Sequence, residues 1–453
     1  MEWKRKMSTQ KSTTGLPTLP KSMIWMINFG FLGVQTAFTL QSSQMSRIFQ
    51  TIGADPNNLG WFFILPPLAG LIVQPIVGTY SDRTWAPKLG GRRLPYLLLG
   101  TIVAVIVMLL LPNSGSFGFG YGSLAALWFG AITVAFLDLS SNVAMQPFKM
   151  MVGDMVNDDQ KSYAYGIQSF LSNTGAVLAA IFPFLLTFLG VANTAKKGVV
   201  PQSVVISFYV GAALLVITSL FTLLKVKEYD PATYAMYHGI DEADNQKGEN
   251  WLTLLRKAPK AFWTVTLVQF FCWFAFQYLW TYSAGAIAQN VWHTTNATSA
   301  GYQAAGNWYG VLAAVQSIAA VIWSYVLAKV PNQYHKLGYG LSLLLGAAGF
   351  TSIFFIHDQY ILIFSYVLVG IAWAGMNTYP LTIVTNALSG KHMGTYLGLF
   401  NGSICLPQIV ASLVSFALFP MLGGSQVNMF LLAGVVMLLG ALSVATIKET
   451  YVE

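Results

Sequence analysis

The chain has 453 residues, of which 55% are hydrophobic, 14% aromatic and only 9% charged, with a mean hydropathy of +0.58. Soluble domains carry roughly 25% charged residues, so a soluble globular protein is excluded and the chain reads as a membrane protein. The formal net charge of +8 calls for no nucleic-acid partner, because the basic residues fall where membrane topology puts them.

A bilayer core about 30 Å thick is crossed by roughly twenty apolar residues in a helix. Twelve such runs are predicted, near residues 24–46, 58–80, 95–112, 122–146, 164–190, 202–224, 262–288, 302–328, 337–356, 360–385, 395–420 and 427–447. With both termini on one side, that side holds 21 of the 24 Lys and Arg residues, and the other holds Arg47, Lys196 and Lys197. Lys and Arg are retained on the cytoplasmic side, so both termini are expected to be cytoplasmic. No cleavable signal is expected in the polar segment before the first span. Cys272 and Cys405 both fall inside spans, which suggests neither a disulfide framework nor a thiolate metal site.

Span one carries Asn28, Gln35, Thr39 and Ser42, spaced seven, four and three, as one polar stripe. Span two ends in GTYSDRTWAPKLGGRRLPY. Gly78 permits close helix approach, Asp82 and Arg83 sit at a helix end, and Arg92 and Arg93 precede Pro95, which is suited to open the next helix. Charges so placed can pair when one side of a transporter closes and part when it opens, so these five residues are the expected conformational gate. A basic topogenic loop is the plainer account of the arginines alone.

Span four contains VAFLDLSSNVAM, residues 134–145. Of the 16 acidic residues, all but Asp138 fall in a loop, a tail or at a helix end of this span map. An intramembrane carboxylate costs about 2.5 kcal/mol or more even on insertion scales and is a functional candidate by default. Asp138 is therefore read as a proton carrier, against the alternative of a structural aspartate bonded between helices, and no cation is evident within the spans to pair with it. Asn142 and Ser141 follow on the same face. Carboxylate and carboxamide at this spacing offer the donors and acceptors that sugar hydroxyls require.

The longest polar break, 225–261, separates two sets of six spans, 24–224 and 262–447, between a tail at 1–23 and another at 448–453. Two six-helix bundles around a midplane site fit this plan. Pro147 pairs with Pro380 and Gly166 with Gly398, at offsets of 233 and 232 residues, which favours duplication. Within the linker, NWLTLLRKAPKAFW reads as an interfacial helix or as a plain connector. Span seven carries Gln269, Trp273, Gln277 and Trp280, and span ten carries Tyr366, Trp373, Asn377 and Tyr379. Rings that stack on the C–H faces of a pyranose, beside amides that bond its hydroxyls, favour a neutral sugar. The candidate substrate ligands are Asn142, Gln35, Thr39, Gln277, Trp280, Trp373 and Asn377, although aromatics also gather at membrane interfaces and amides also join helices.

Enzymatic and ATP-driven readings find no support, since neither a phosphate loop nor H-E-x-x-H occurs and the five histidines are scattered. No metal and no cofactor other than the coupling proton is expected. Sodium coupling usually needs more than one carboxylate, and the spans offer one. An uncoupled facilitator or exporter, or a transporter-like sensor, are the remaining rivals.

LPPLAGLIVQPIVGTYSDRTWAPKLGGRRLPY resembles the second and third spans of plant sucrose carriers and their bacterial relatives. FLDLSSNVAMQPFKMMVGDMVNDDQKSYA resembles their fourth span, and GIAWAGMNTYPLTIVTNAL and LGLFNGSICLPQIVASL their tenth and eleventh. These carriers form part of the glycoside-pentoside-hexuronide:cation symporter group of the major facilitator superfamily. The resemblance implies an all-α membrane protein of twelve transmembrane helices in two pseudo-symmetric six-helix bundles, monomeric, in the cell membrane. It also implies proton-driven uptake of a neutral disaccharide, with Asp138 carrying the proton and Asn142 binding sugar. The chain departs from the plant carriers at KMMVGD, Lys149 to Asp154, where they have Arg-Ala-Leu-Leu-Ala-Asp, and loosely at span seven. Bacterial members include maltose carriers, so maltose or a related glucoside is the first expected substrate and sucrose the next.

Overall fold

The structure is a computed structural model that describes residues 15–238, 251–327, 329–387 and 393–447. Among the described residues the long elements are all helices. They are α1 (Lys21–Thr51), α2 (Leu65–Arg83), α3 (Leu94–Leu110), α4 (Leu124–Met155), α5 (Asp158–Phe188) and α6 (Gln202–Lys225). The second set is α7 (Lys260–Val291), α8 (Ala300–Leu327), α9 (His335–Phe355), α10 (Leu362–Ala387), α11 (Met393–Met421) and α12 (Gln426–Ser443). Twelve helical segments are long and apolar enough to cross a membrane, so the protein is multi-pass.

Local chemistry sets several ends. Ser123 caps α4 by accepting from Ala126 N at 3.2 Å, and Asn157 caps α5 by accepting from Gln160 N at 3.0 Å. Pro95 lies in the first turn of α3, where its missing N–H costs nothing. Several expected boundaries need correction, and α5 already starts at Asp158, against an expected 164. Helix α4 continues through Pro147 to Met155, past the expected end at 146; a proline inside a membrane helix is tolerated where neighbouring helices satisfy the freed carbonyl. Helix α1 continues to Thr51, past the expected end at 46, and carries Arg47 as a buried helical residue where the span map had it in a loop.

The helix pairings repeat between the halves. In the first half α1 packs on α4, α5 and α6, α3 on α4 and α6, and α2 on α4. In the second, α7 packs on α10, α11 and α12, α9 on α10 and α12, and α8 on α10. The halves meet where α5 crosses α8, α2 crosses α11 and α1 crosses α7. The first two crossings exchange under the same repeat and the third maps onto itself, which defines the pseudo-two-fold. Small residues allow the backbones to close up, as membrane helices require. A Cβ on Gly33 of α1 would lie 2.6 Å from the Leu215 Cα of α6, and one on Gly310 of α8 would lie 2.1 Å from the Ala180 carbonyl oxygen of α5.

Candidate proton and substrate site

Asp138 sits on α4 and is buried, 2% exposed. Its Oδ2 accepts from Asn142 Nδ2 at 2.9 Å, and the same amide also donates to the Asp138 backbone carbonyl at 3.0 Å. That second bond pins Asn142 one turn along the helix, where the four-residue spacing brings the two side chains over each other. Oδ1 accepts from Gln41 Nε2 of α1 at 3.3 Å. Both side-chain donors are neutral amides. Gln41 Oε1, on the amide that bonds the carboxyl, and Ser141 Oγ, three residues along α4, are buried without a hydrogen-bond partner among the described residues. The second half reaches this place through α11: a Cβ on Gly70 of α2 would lie 3.8 Å from Cys405 Sγ and 4.0 Å from Asn142 Nδ2. The carboxyl and its amides therefore lie close to the surface where the halves meet.

The other expected ligands divide. Trp280 and Trp373 come together in the second half, ring centroids 6.0 Å apart, with Trp273 and Phe276 at 5.5 and 5.0 Å from Trp373. Asn377 is exposed one turn beyond Trp373 and donates to its carbonyl at 2.7 Å. Gln35 and Thr39 are half-buried on α1, with Gln35 Nε2 3.5 Å from Thr39 Oγ1. Gln277 is turned elsewhere. Its Nε2 donates to the Phe63 carbonyl at 2.8 Å and to Ser412 Oγ at 2.9 Å, a buried bridge from the first half through α7 to α11. Asn28 and Gln269 likewise join helices, Asn28 to the Ala164 carbonyl and Gln269 to the Met376 carbonyl.

Of the expected gate, Gly78, Asp82 and Arg83 fall on the last turns of α2, and their side chains lie outside the described residues. Arg92 Nη2 and Arg93 Nε both reach Asp154 Oδ2 of α4, at 3.1 and 2.9 Å, and Arg93 also donates to Ser81 Oγ. The Arg92 guanidinium lies 3.6 Å from the Tyr234 ring centroid. Glu228, in the segment after α6, accepts from the N–H groups of Arg93 and Leu94 at 2.8 and 3.1 Å and so caps α3. Burial pushes the Glu228 carboxyl above the usual range, against the lowering effect of those backbone hydrogen bonds. Asp154, Glu228 and Tyr234 were not expected in this cluster, because nothing in their spacing links them to the span two loop. Nearby, Tyr396 of α11 donates to the Leu254 carbonyl of the short helix Trp251–Lys257, which holds that end of the linker on the second half.

The opposite end joins the halves through a residue the span map had discounted. Arg47 is fully buried on α1. Its Nε donates to Gln303 Oε1 at 2.7 Å and Nη1 to Asn307 Oδ1 at 2.7 Å, both on α8. Nη1 also reaches Gln44 Oε1 at 3.3 Å, and Nη2 donates to Asn193 Oδ1 at 2.7 Å. Among the described residues no carboxylate pairs with it. Gln50 and Gln426 of α12 exchange hydrogen bonds at 3.3 and 2.9 Å, and Ser46 Oγ donates to the Thr281 carbonyl at 2.7 Å. The signal was present in QSSQMSRIFQ, where Gln41, Gln44, Arg47 and Gln50 recur every three residues beside the stripe read at Gln35 and Thr39. This end of the molecule is closed.

A sequence profile of the Major Facilitator Superfamily matches residues 27–412. The chain belongs to that superfamily. It is a membrane transporter and not an enzyme. Sucrose transport protein SUC4 of Arabidopsis thaliana is 23% identical over 426 residues, covering 84% of this chain and 81% of that protein. Sucrose transport protein SUT1 of Oryza sativa subsp. japonica is 30% identical over 135 residues, covering 27% of this chain and 25% of that one. In three dimensions the nucleoside transporter NupG aligns with a TM-score of 0.66 at 14% identity, over 94% of this chain and 98% of that chain. A proton dependent oligopeptide transporter structure aligns equally well, with a TM-score of 0.66 at 14% identity and the same coverage. These two likenesses establish the fold.

Proposed function

We propose that this facilitator imports a neutral disaccharide driven by protons, with Asp138 carrying the proton and maltose or a related glucoside the first substrate, sucrose the next. The observation that carries this reading is the Asp138 carboxyl, buried at 2% exposure and held by two neutral amides, Gln41 and Asn142. A carboxylate without a paired cation is free to take up and release a proton, and its charge is the obstacle that protonation removes before the site changes sides. The sugar site is formed by Asn142, Gln35 and Thr39 on one half and by Trp280, Trp373 and Asn377 on the other. Rings and amides with almost no formal charge suit a polyol. Relatives that are sucrose transport proteins support the substrate class. The end bearing the linker faces the cytoplasm by the excess of Lys and Arg there, and the protein works as a monomer in the plasma membrane.

The test is uptake of labelled maltose and sucrose into proteoliposomes, with and without an inward proton gradient, for the parent and Asp138→Asn. Concentrative uptake that follows the gradient and is lost in the variant, with exchange preserved, is the expected result. Gradient-independent uptake unchanged by Asp138→Asn would overturn proton coupling and leave a facilitator.

A further inference from the structure

Gln41 serves neither the sugar stripe of α1 nor the clasp at its end, yet it is 3% exposed and lies against the carboxyl. Its two polar atoms are used unequally. Nε2 donates to Asp138 Oδ1 at 3.3 Å, while Oε1 is buried with no partner among the described residues. A buried amide oxygen left unbonded is costly, and few arrangements near a carboxyl make sense of it. A carboxylate only accepts, whereas a carboxylic acid also donates one O–H. In the arrangement seen, the amide N–H faces an acceptor, as the ionised form requires. Once Oδ1 takes a proton, that N–H faces an O–H and both are donors. Rotation of the terminal amide, a soft torsion, presents Oε1 to the new O–H and restores one bond.

We propose that Gln41 is a positioning residue for the proton carrier, bonding Asp138 in both protonation states by turning its amide, N–H toward the carboxylate and Oε1 toward the acid. This rests on the reading of Asp138 as the carrier. Asn142 cannot serve in the same way, because its Nδ2 is also tied to the Asp138 backbone carbonyl at 3.0 Å. Of the helices packed on α1, α6 carries Tyr209 and its terminal Lys225, α7 carries Lys260, Cys272, Tyr278 and Tyr282, and α8 carries Tyr302, Tyr309 and Tyr325. On α11 the nearest titratable group is the Cys405 thiol, placed beside Asn142 across Gly70. On α1 it is Arg47, six residues or about 9 Å further along. Residues 65–79 of α2 and 97–110 of α3 contain no charged or titratable side chain, and Tyr96 lies a turn inside α3. On α4 itself the next charge is Lys149, and on α5 the charged residues Asp158, Asp159 and Lys161 are confined to its first turn.

The prediction concerns the shape of the pH profile. Gln41→Met keeps the volume and removes both bonds. A hydrogen bond to an ion nets about twice one to a neutral group, so the ionised form loses more and the alkaline limb of proton-driven uptake moves up by about one pH unit. Gln41→Asn, whose amide stops one methylene short, moves the limb the same way and serves where the Met variant does not fold. In Asp138→Asn, sugar exchange has no such limb, and adding Gln41→Met introduces none. Profiles of both Gln41 variants that superimpose on the parent after scaling would overturn the proposal and reduce Gln41 to packing. Persistence of proton-driven uptake in Asp138→Asn would instead overturn the carrier assignment beneath it.

Discussion

Arg47→Met is the most informative perturbation of the closed end. Methionine keeps an unbranched apolar stem and removes the guanidinium that holds Gln303 and Asn307 of α8, each at 2.7 Å, from α1. Hydrogen bonds from a charged donor net about 1.5–3 kcal/mol each, so the two between halves represent about 3–6 kcal/mol. The bereaved amide oxygens add about 1–3 kcal/mol apiece while they stay buried, a penalty that opening relieves by letting water in. Against this, burying the guanidinium itself costs several kcal/mol, a cost the variant no longer bears in the closed state. The balance favours opening by about 2–4 kcal/mol, or roughly a 30- to 1,000-fold rise in the ratio of open to closed. Spin labels on Ser116 and Thr295, exposed at this end on the first and second halves, report the separation by pulsed electron resonance, and the native thiols Cys272 and Cys405 are buried from the reagent. A longer-distance population should grow in Arg47→Met. A distance distribution identical to the parent, in a variant that remains folded, would refute the idea that this cation fastens the halves.

Gly310→Ala should oppose the crossing of α5 and α8, since the added Cβ meets a backbone oxygen at 2.1 Å that cannot rotate away; overpacking costs about 1–3 kcal/mol, so the thermal transition falls by a few degrees. Gly166→Ala, with nothing within 4 Å, is the control and should leave the transition in place. Glu228 supplies a pH dependence of known sign. Its folded value lies above its ordinary one, so the stability it contributes is present at acid pH and is lost as pH rises through the folded value. The thermal transition should therefore move to lower temperature as pH rises through that value, and Glu228→Gln should remove that part of the pH dependence.

The sequence made the fold legible because membrane crossing imposes one strong pattern, a run of apolar residues of fixed length, and α1 to α12 all obey it. Asp138 and Asn142 were legible for the same reason, as a charge and an amide one turn apart in an otherwise apolar run. The errors came where the pattern was allowed to end too early. Arg47 reads as the stop of a span, since a guanidinium is unfavourable in lipid, but here it is sequestered from lipid among Gln44, Asn193, Gln303 and Asn307. Those partners lie on three separate segments, and a list of residues contains no signal that they converge. Gln277 shows the complementary limit. Spacing placed it on the same stripe as Trp280, but the side chain points to Phe63 and Ser412, a choice made by the neighbouring helices.

The two ends of the bundle use arginine against different partners, and the difference follows from which contacts have to part. Arg92 and Arg93 bond Asp154 at 3.1 and 2.9 Å within one half. A rocking motion of the halves leaves those groups in register, so this pairing does not part as the expected gate charges do, and a full ion pair can sit there without slowing the cycle. Arg47 bonds across the halves and, in the proposed alternating-access cycle, must release α8 each time the closed end opens. Breaking a buried ion pair by withdrawing one partner costs about 3–5 kcal/mol, because it strands a charge. Amides accept strongly from a guanidinium, yet when the halves separate α8 bares only neutral groups, while Arg47 keeps Gln44 and Asn193 of its own half and its freed N–H groups hydrate. A clasp of one cation on Gln303 and Asn307 thus gives the closed state geometric definition while keeping the open state within a few kcal/mol, which is the condition for alternating access to run in both directions.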